Sequence, residues 1–194
     1  MIKRMNNQYC RLCKSDINRP ALLSMSPFPM AAQYYPDKVE FERDRGITLK
    51  VYRCSCCDLL QLCCDPVSYY KEVITAASFS AEARAARLKE ISLFSNRFGL
   101  HGKSIIEIGS GKGGIVDIMT EAGFNAVGLE FSAESIKYAR DQKCNMIEGY
   151  LDDLDESHDS KYDAFISLNY IEHQPDTKSF INSLARITTE DAVG

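Results

Sequence analysis

Ser104-Ile-Ile-Glu-Ile-Gly-Ser-Gly-Lys-Gly-Gly114 is the stretch on which the fold turns. Its first five residues form a short apolar run dominated by isoleucine, which reads as a strand. Glycines at 109, 111, 113 and 114 then interrupt regular structure, and Ile115, Ile118 and Met119 recur at one-turn spacing before Gly123, which reads as a helix. Strand, glycine loop and helix in that order open a βα unit. The glycines permit a tight turn with close backbone approach, and the helix N-terminus offers unpaired N–H groups to a ligand.

Downstream, Asn125-Ala-Val-Gly-Leu-Glu130 reads as a second strand ending in a carboxylate, 19 residues after Gly111, where it is placed to accept hydrogen bonds from two ribose hydroxyls. A Gly-x-Gly-x-x-Gly run with an acid at that distance also fits a dinucleotide such as NAD. Glu107 shifts the reading towards S-adenosylmethionine, because a carboxylate at the strand tip opposes a pyrophosphate but attracts an amino group or a sulfonium. The candidate cofactor contacts here are Glu107, Gly109, Ser110, Gly111, Gly113, Glu130 and Phe131.

Strand and helix signals then repeat. Ser132 caps a helix with Glu134 in its first turn and Lys137, Arg140 and Lys143 towards its end, a charge order that suits the helix dipole. Cys144-Asn-Met-Ile147 reads as a third strand, and the loop Gly149-Tyr-Leu-Asp152 supplies Tyr150, Leu151 and Asp152 as candidates for an adenine edge. Tyr162-Asp-Ala-Phe-Ile-Ser-Leu168 is a fourth strand, and Asn169-Tyr-Ile-Glu-His173 stands at its carboxyl end, where ligands sit in such sheets. His173 is a candidate general base because its unperturbed pKa is about 6.5, with Glu172 or Tyr170 to orient it or hold a substrate oxygen. Shaping of the cofactor pocket is the alternative role for these residues. Asp176 to Ile187 reads as a helix. The expected fold is therefore α/β, a Rossmann-like parallel sheet of about four strands, incomplete where a fifth strand should begin.

Upstream the character changes. From Asp65 to Phe98 apolar residues recur as in a helix, with Ser80 as its cap and Gly99 as its stop; Tyr69 and Tyr70 precede it as candidate pocket residues. Seven of the eight cysteines lie between Cys10 and Cys64. Cys10-Arg-Leu-Cys13 and Cys54-Ser-Cys-Cys57 are two Cys-x-x-Cys knuckles, a spacing that directs two thiolates at one tetrahedral ion, so Cys10, Cys13, Cys54 and Cys57 are the expected zinc ligands. Cys56, Cys63 and Cys64 are alternatives. Domain boundaries are accordingly expected at 1–66 for a zinc-binding domain, 67–100 for a helical lead-in and 101–194 for the cofactor-binding domain.

A net charge of −4 argues against a surface built to neutralise phosphates, so a small-molecule substrate is expected rather than nucleic acid. Lys3 and Arg4 are followed by no apolar run, which leaves no membrane segment to read and points to the cytoplasm.

Glu107-Ile-Gly-Ser-Gly-Lys-Gly113, Glu130, the Tyr162-Asp163 strand start and Tyr170-Ile-Glu-His173 together resemble the class I S-adenosylmethionine-dependent methyltransferases. With the four knuckle cysteines and Asp58-Leu-Leu-Gln-Leu62 added, the chain is similar to the sugar C-methyltransferase family that carries an N-terminal zinc-binding domain. The resemblance implies methylation at carbon of a nucleotide-linked deoxy-keto-sugar. It also implies base and oxyanion roles for Tyr170, Glu172 and His173, and aromatic residues of the 69–70 segment near the site. That family has a fuller sheet and a C-terminal sugar-binding portion, so the chain reads as C-terminally truncated, with an open sheet edge available for self-association. Two other readings share these features: an RNA methyltransferase with a zinc finger, and a non-catalytic S-adenosylmethionine-binding or interaction module.

Overall fold

The computed structural model describes residues 9–31, 35–66, 79–154 and 161–194. The chain divides into two compact units, Met1–Val73 with Pro175–Lys178 and Ile74–Gln174 with Ser179–Gly194. Tyr69 and Tyr70 lie outside the described residues. Among the described residues no helix is long and apolar enough to cross a membrane.

The first unit holds a three-stranded antiparallel sheet in the order β1 (Leu23–Phe28), β2 (Ile47–Arg53), β3 (Leu60–Leu62), with the short helix α1 (Lys38–Arg43) between the first two strands. Asp37 and Glu40 start that helix by a reciprocal capping box. Apolar burial is sparse. Cys10, Leu49 and Cys54 are the buried hydrophobic residues described in this unit, and Leu23, Phe28, Leu60 and Leu62 on the strands stay exposed. Gln61 is buried instead, and its amide ties the sheet to the first knuckle by accepting from Arg11 N (2.8 Å) and donating to Tyr9 O (3.2 Å).

The second unit is a five-stranded, all-parallel sheet. Its strands are β4 (Ser104–Ile108), β5 (Asn125–Glu130), β6 (Met146–Glu148), β7 (Tyr162–Ile166) and β8 (Thr188–Val193), in the spatial order β6-β5-β4-β7-β8. Central β4 explains its own composition. Ile105 packs into one core cluster with residues of α2 (Ala81–Phe98), α3 (Gly114–Glu121) and α4 (Ala133–Asp141), whereas Ile106 and Ile108 join Phe180, Leu184 and Ile187 of α5 (Thr177–Ile187) on the other face. The β4-α3-β5-α4-β6 run covers one face and the return through β7 and α5 covers the other, as right-handed crossovers require. Gly128 lets the layers close: a Cβ there would stand 2.5 Å from Ser110 Oγ and 2.8 Å from Val116 Cγ2. Ser80 caps α2 by accepting from Ala83 N at 3.2 Å, and Gly99 ends it at φ +66°.

The expected four-stranded sheet is corrected by β8. Its sequence, Thr-Thr-Glu-Asp-Ala-Val, lacks the apolar run of a central strand because it is an edge strand with Thr189, Glu190 and Asp191 exposed. It pairs parallel to β7, with Tyr162 opposite Thr188, Ala164 opposite Val193, and a bulge between. Two further boundaries move: the third strand begins at Met146 rather than Cys144, and the fourth ends at Ile166.

The start of β4 is fixed by a side chain on its neighbour. Asp163 Oδ2 accepts from Ser104 N at 2.9 Å and from Ser104 Oγ at 2.8 Å, and these bonds hold its carboxyl below the usual range. Asp163→Ala is expected to cost about 1–2 kcal/mol at pH 7 by orphaning the Ser104 N–H and leaving the Ser104 hydroxyl only Lys161 O as acceptor. A depressed carboxyl contributes stability that is present above the unfolded value of about 4 and lost as pH falls through the folded value. The difference between wild type and variant in urea denaturation should therefore shrink below about pH 4; a difference that does not change with pH would show that the tie is not electrostatic.

Candidate functional site

The carboxyl ends of β4, β5, β6 and β7 bring together most of the residues singled out by sequence. Gly109 N and Ser110 N both donate to Leu129 O, at 2.9 and 3.1 Å, and fold the glycine loop back over the tip of β5. Gly109, Gly111 and Gly113 take φ of +76°, +52° and +78°, so all three positions demand glycine or strain. Gly113 is also the N-cap of α3, and no side-chain hydrogen bond caps that helix start.

Glu130 clamps this loop. One carboxylate oxygen accepts from Gly111 N at 2.7 Å, and the other accepts from Phe131 N and Ser132 N, each at 2.9 Å. A carboxylate offers about four acceptor positions, so one stays free on the oxygen facing Gly111. Holding two ribose hydroxyls would require one backbone bond to be released.

Glu107 has the opposite environment. It is 4% exposed, and its Oε2 has no hydrogen-bond partner. Burial, reinforced by the negative charge of Glu130, pushes its carboxyl up to about 8. At neutral pH in the ligand-free chain it is mostly the neutral acid. A ligand cation at the strand tip would reverse that balance and supply the missing partner. The residues present thus fit an amino-acid-bearing sulfonium cofactor better than a pyrophosphate.

Tyr170 lies against the loop from the β7 side. A Cβ on Gly109 would be 2.2 Å from its ring, so residue 109 must be glycine for this contact as well as for its φ. Burial raises the Tyr170 phenol to about 12, with a hydrogen bond to Gln174 acting against the rise and Glu130, Tyr150 and Asp152 adding to it. Asn169 just before it is exposed, at φ +52°. Glu172 (exposed) and His173 (half-buried) follow on the 3-10 turn Ile171–His173.

Three expected cofactor contacts have other neighbours. Ser110 is buried and its hydroxyl donates inward to Leu129 O at 3.3 Å. Leu151 is 3% exposed and belongs to the core cluster under α5. Asp152 Oδ1 accepts from Ser183 Oγ at 2.6 Å, which ties its loop to α5. Phe131 is half exposed and stacks on Tyr150, with centroids 4.2 Å apart and planes 16° apart, so an aromatic surface stands beside Glu130.

In the first unit the two knuckles are near copies of one another. Lys14 N donates to Cys10 O and Asp58 N to Cys54 O, at 3.0 and 3.2 Å; Cys10 N donates to Ser15 O and Cys54 N to Leu59 O, at 2.8 and 2.9 Å. Lys14 and Asp58, each following the second cysteine, both sit at φ +62°. The Sγ atoms of Cys10, Cys13, Cys54 and Cys57 all lie within 4.8 Å of one another, with Cys10–Cys57 and Cys13–Cys54 at 3.5 Å. A disulfide needs about 2.05 Å. Thiolates about 2.3 Å from a tetrahedral ion stand about 3.8 Å apart, so the arrangement fits a metal and not a pair of bridges. Cys56, Cys63 and Cys64 are not in this group.

Residues 106–193 match the family model described as a methyltransferase domain. Over 105 residues the chain is 29% identical to a ubiquinone biosynthesis O-methyltransferase of Actinobacillus pleuropneumoniae serotype 7, covering 49% of this chain and 45% of that protein. It is 30% identical over 98 residues to the enzyme of the same name from Klebsiella pneumoniae strain 342, covering 46% and 39%. The chain thus spans less than half the length of these relatives. Among solved structures, a putative S-adenosyl-L-methionine-dependent methyltransferase from Methanococcus maripaludis superposes with a TM-score of 0.49 at 18% identity, over 59% of this chain and 58% of that one. Residues 106–193, which hold nearly all of the five-stranded parallel sheet, are thus similar to a methyltransferase domain.

Proposed function

We propose that the second unit binds S-adenosylmethionine and directs its methyl group to a small molecule, and that residues 1–66 form a structural zinc domain. The observation that carries the first part is Glu107: a buried carboxyl oxygen with no partner, at the tip of the strand that feeds the glycine loop. The glycine loop, Glu130 and Phe131 are read as the nucleoside side of the cofactor site, with Asn169 at its β7 side.

For the acceptor, we favour carbon next to a ketone in a nucleotide-linked deoxy-keto-sugar. Support comes from the sequence likeness of Tyr170-Ile-Glu-His173 and of the four-cysteine unit to that family. His173 is assigned the removal of the proton from that carbon by a ring nitrogen, with Glu172 orienting the substrate or the imidazole. Tyr170, whose phenol is raised to about 12, keeps its proton through the neutral range and can donate a hydrogen bond to the developing enolate oxygen. The cofactor supplies an activated methyl group; the protein supplies placement, worth roughly 7–11 kcal/mol when the reacting atoms are held near contact. The O-methyltransferase name of the ubiquinone-biosynthesis relatives makes a hydroxyl oxygen the second acceptor to test, with His173 then taking the hydroxyl proton.

Calorimetric titration with S-adenosylhomocysteine should give micromolar affinity, weakened at least tenfold by Glu130→Ala. Absence of binding in the metal-replete wild type, or binding of NADH instead, would refute the cofactor assignment. Affinity should also depend on pH. Glu107 is neutral before binding and charged beside the ligand's ammonium group, so binding releases a proton and tightens as pH rises from about 6 to about 8, then levels. Titrations in two buffers of different ionisation enthalpy measure that proton directly, and Glu107→Gln should abolish its release. Label from methyl-tritiated cofactor appearing in a keto-sugar nucleotide, and not in a catechol, would favour carbon transfer; the reverse would favour oxygen.

Elemental analysis should find one zinc per chain, reduced by Cys13→Ser together with a fall of several degrees in the unfolding midpoint. With zinc bound, four of the eight thiols should titrate freely; all eight titrating in protein purified without chelator would exclude the metal.

A further inference from the structure

The two cysteine knuckles share one backbone but not one use. The left-handed residue of the second, Asp58, pairs locally with Arg53 at 3.0 Å. Its counterpart in the first, Lys14, reaches 162 residues along the chain, to Asp176 Oδ1 at 2.8 Å. Glycine takes φ +62° without strain and lysine does not, so the backbone alone gives no reason for an ammonium group there. A second contact stands beside it: Lys178 N donates to Arg11 O at 3.3 Å. Lys178 is in the first turn of α5, where N–H groups have no acceptor within the helix, and the knuckle's backbone supplies one. Arg11 is itself fixed, its N–H donating to Gln61 Oε1 at 2.8 Å and its guanidinium to Cys64 O at 3.1 Å. Pro175–Lys178 accordingly belongs to the first unit, although the chain before and after it belongs to the second.

Directly before this segment comes the turn that carries Tyr170, Glu172 and His173. His173 N donates to Tyr170 O at 3.0 Å and Gln174 N to Ile171 O at 3.1 Å, so the turn is closed up to residue 174. Pro175, with its fixed φ, is the one residue between Gln174 and Asp176. We propose that Arg11 and Lys14 are positioning residues: by holding Lys178 and Asp176 to the first knuckle, they fix the downstream end of the turn and with it the place of His173. The proposal rests on the reading of that turn as the acceptor side of the site and of the four cysteines as a zinc centre, and it gives the metal a task beyond folding its own unit. An exposed ion pair is weak by itself. Here it acts together with the bond at the start of α5, and both depend on a knuckle whose shape the metal sets.

Amide exchange in the zinc-replete chain, followed by nuclear magnetic resonance, tests this, because the amides of His173, Gln174 and Lys178 are bonded in the turn and at its anchor. Lys14→Asn removes the ammonium with a residue that tolerates left-handed φ. It should speed exchange at Lys178 about two- to fivefold, and shift the imidazole signals of His173 but not those of His101. Lys14→Arg, which keeps the charge, should restore both. Chelation of metal that elemental analysis has shown to be present should speed exchange at all three amides about tenfold or more, while Ile105 and Ile106 of β4 stay protected. Exchange and imidazole signals unchanged in Lys14→Asn, or these amides unchanged after chelation, would overturn the proposal; so would an equal loss of protection in β4, which would mark a general fall in stability. Absence of metal from the protein as purified would instead overturn the zinc reading, and absence of S-adenosylhomocysteine binding the cofactor reading; the Lys14→Asn comparison stands apart from both.

Discussion

The burial of β4 on both faces is the constraint from which the second unit follows. Ile105, Ile106 and Ile108 are at most 1% exposed, so helices must cover both sides of the strand and no ligand can approach it laterally. What remains open is the carboxyl end, where the backbone turns into the glycine loop. The same burial makes Glu107 costly: on that strand a carboxyl is surrounded by apolar neighbours and drifts towards its neutral form. Folding alone gives no return for a carboxylate there. A ligand cation does, which is why the position is informative.

The two glutamates divide the site between fixed and responsive electrostatics. Glu130 takes three backbone donors and serves as part of the loop's scaffold; its charge is already used in holding Gly111, Phe131 and Ser132 in place. Glu107 has nothing comparable and keeps one oxygen in reserve. Under the proposed cofactor reading, the nucleoside side would be organised before the ligand arrives and the amino-acid side would change protonation when it does. Tyr170 joins the two halves, since its ring closes over Gly109 while Glu130 and Asp152 both act on its phenol.

Much of this arrangement could be read from the sequence because its signals are local. The cap at Ser80, the stop at Gly99, the glycine loop and the carboxylate ending β5 each depend on a few neighbouring residues. The parts that escaped reading depend on partners distant in the chain. Strand β8 is polar, and it is a strand because β7 offers an edge, not because its own residues demand it. Leu151 and Asp152 read as loop residues, yet one fills the core under α5 and the other bonds Ser183 on that helix.

The first unit solves its stability problem by different means. With only Cys10, Leu49 and Cys54 as described buried hydrophobics, its sheet lacks the apolar area that holds β4 in place. What it has instead is two superposable turns, each with its second cysteine followed by a residue in left-handed conformation, that bring four sulfurs to one point. Left-handed Lys14 and Asp58 are unfavourable as isolated residues. Their matched occurrence follows if both turns must aim two thiolates at a shared ion, whose binding energy then takes the place of a hydrophobic core. Gln61 completes this logic: a buried amide bonded to both sides of the first knuckle keeps β3 aligned with the sulfurs where an apolar side chain would give no direction.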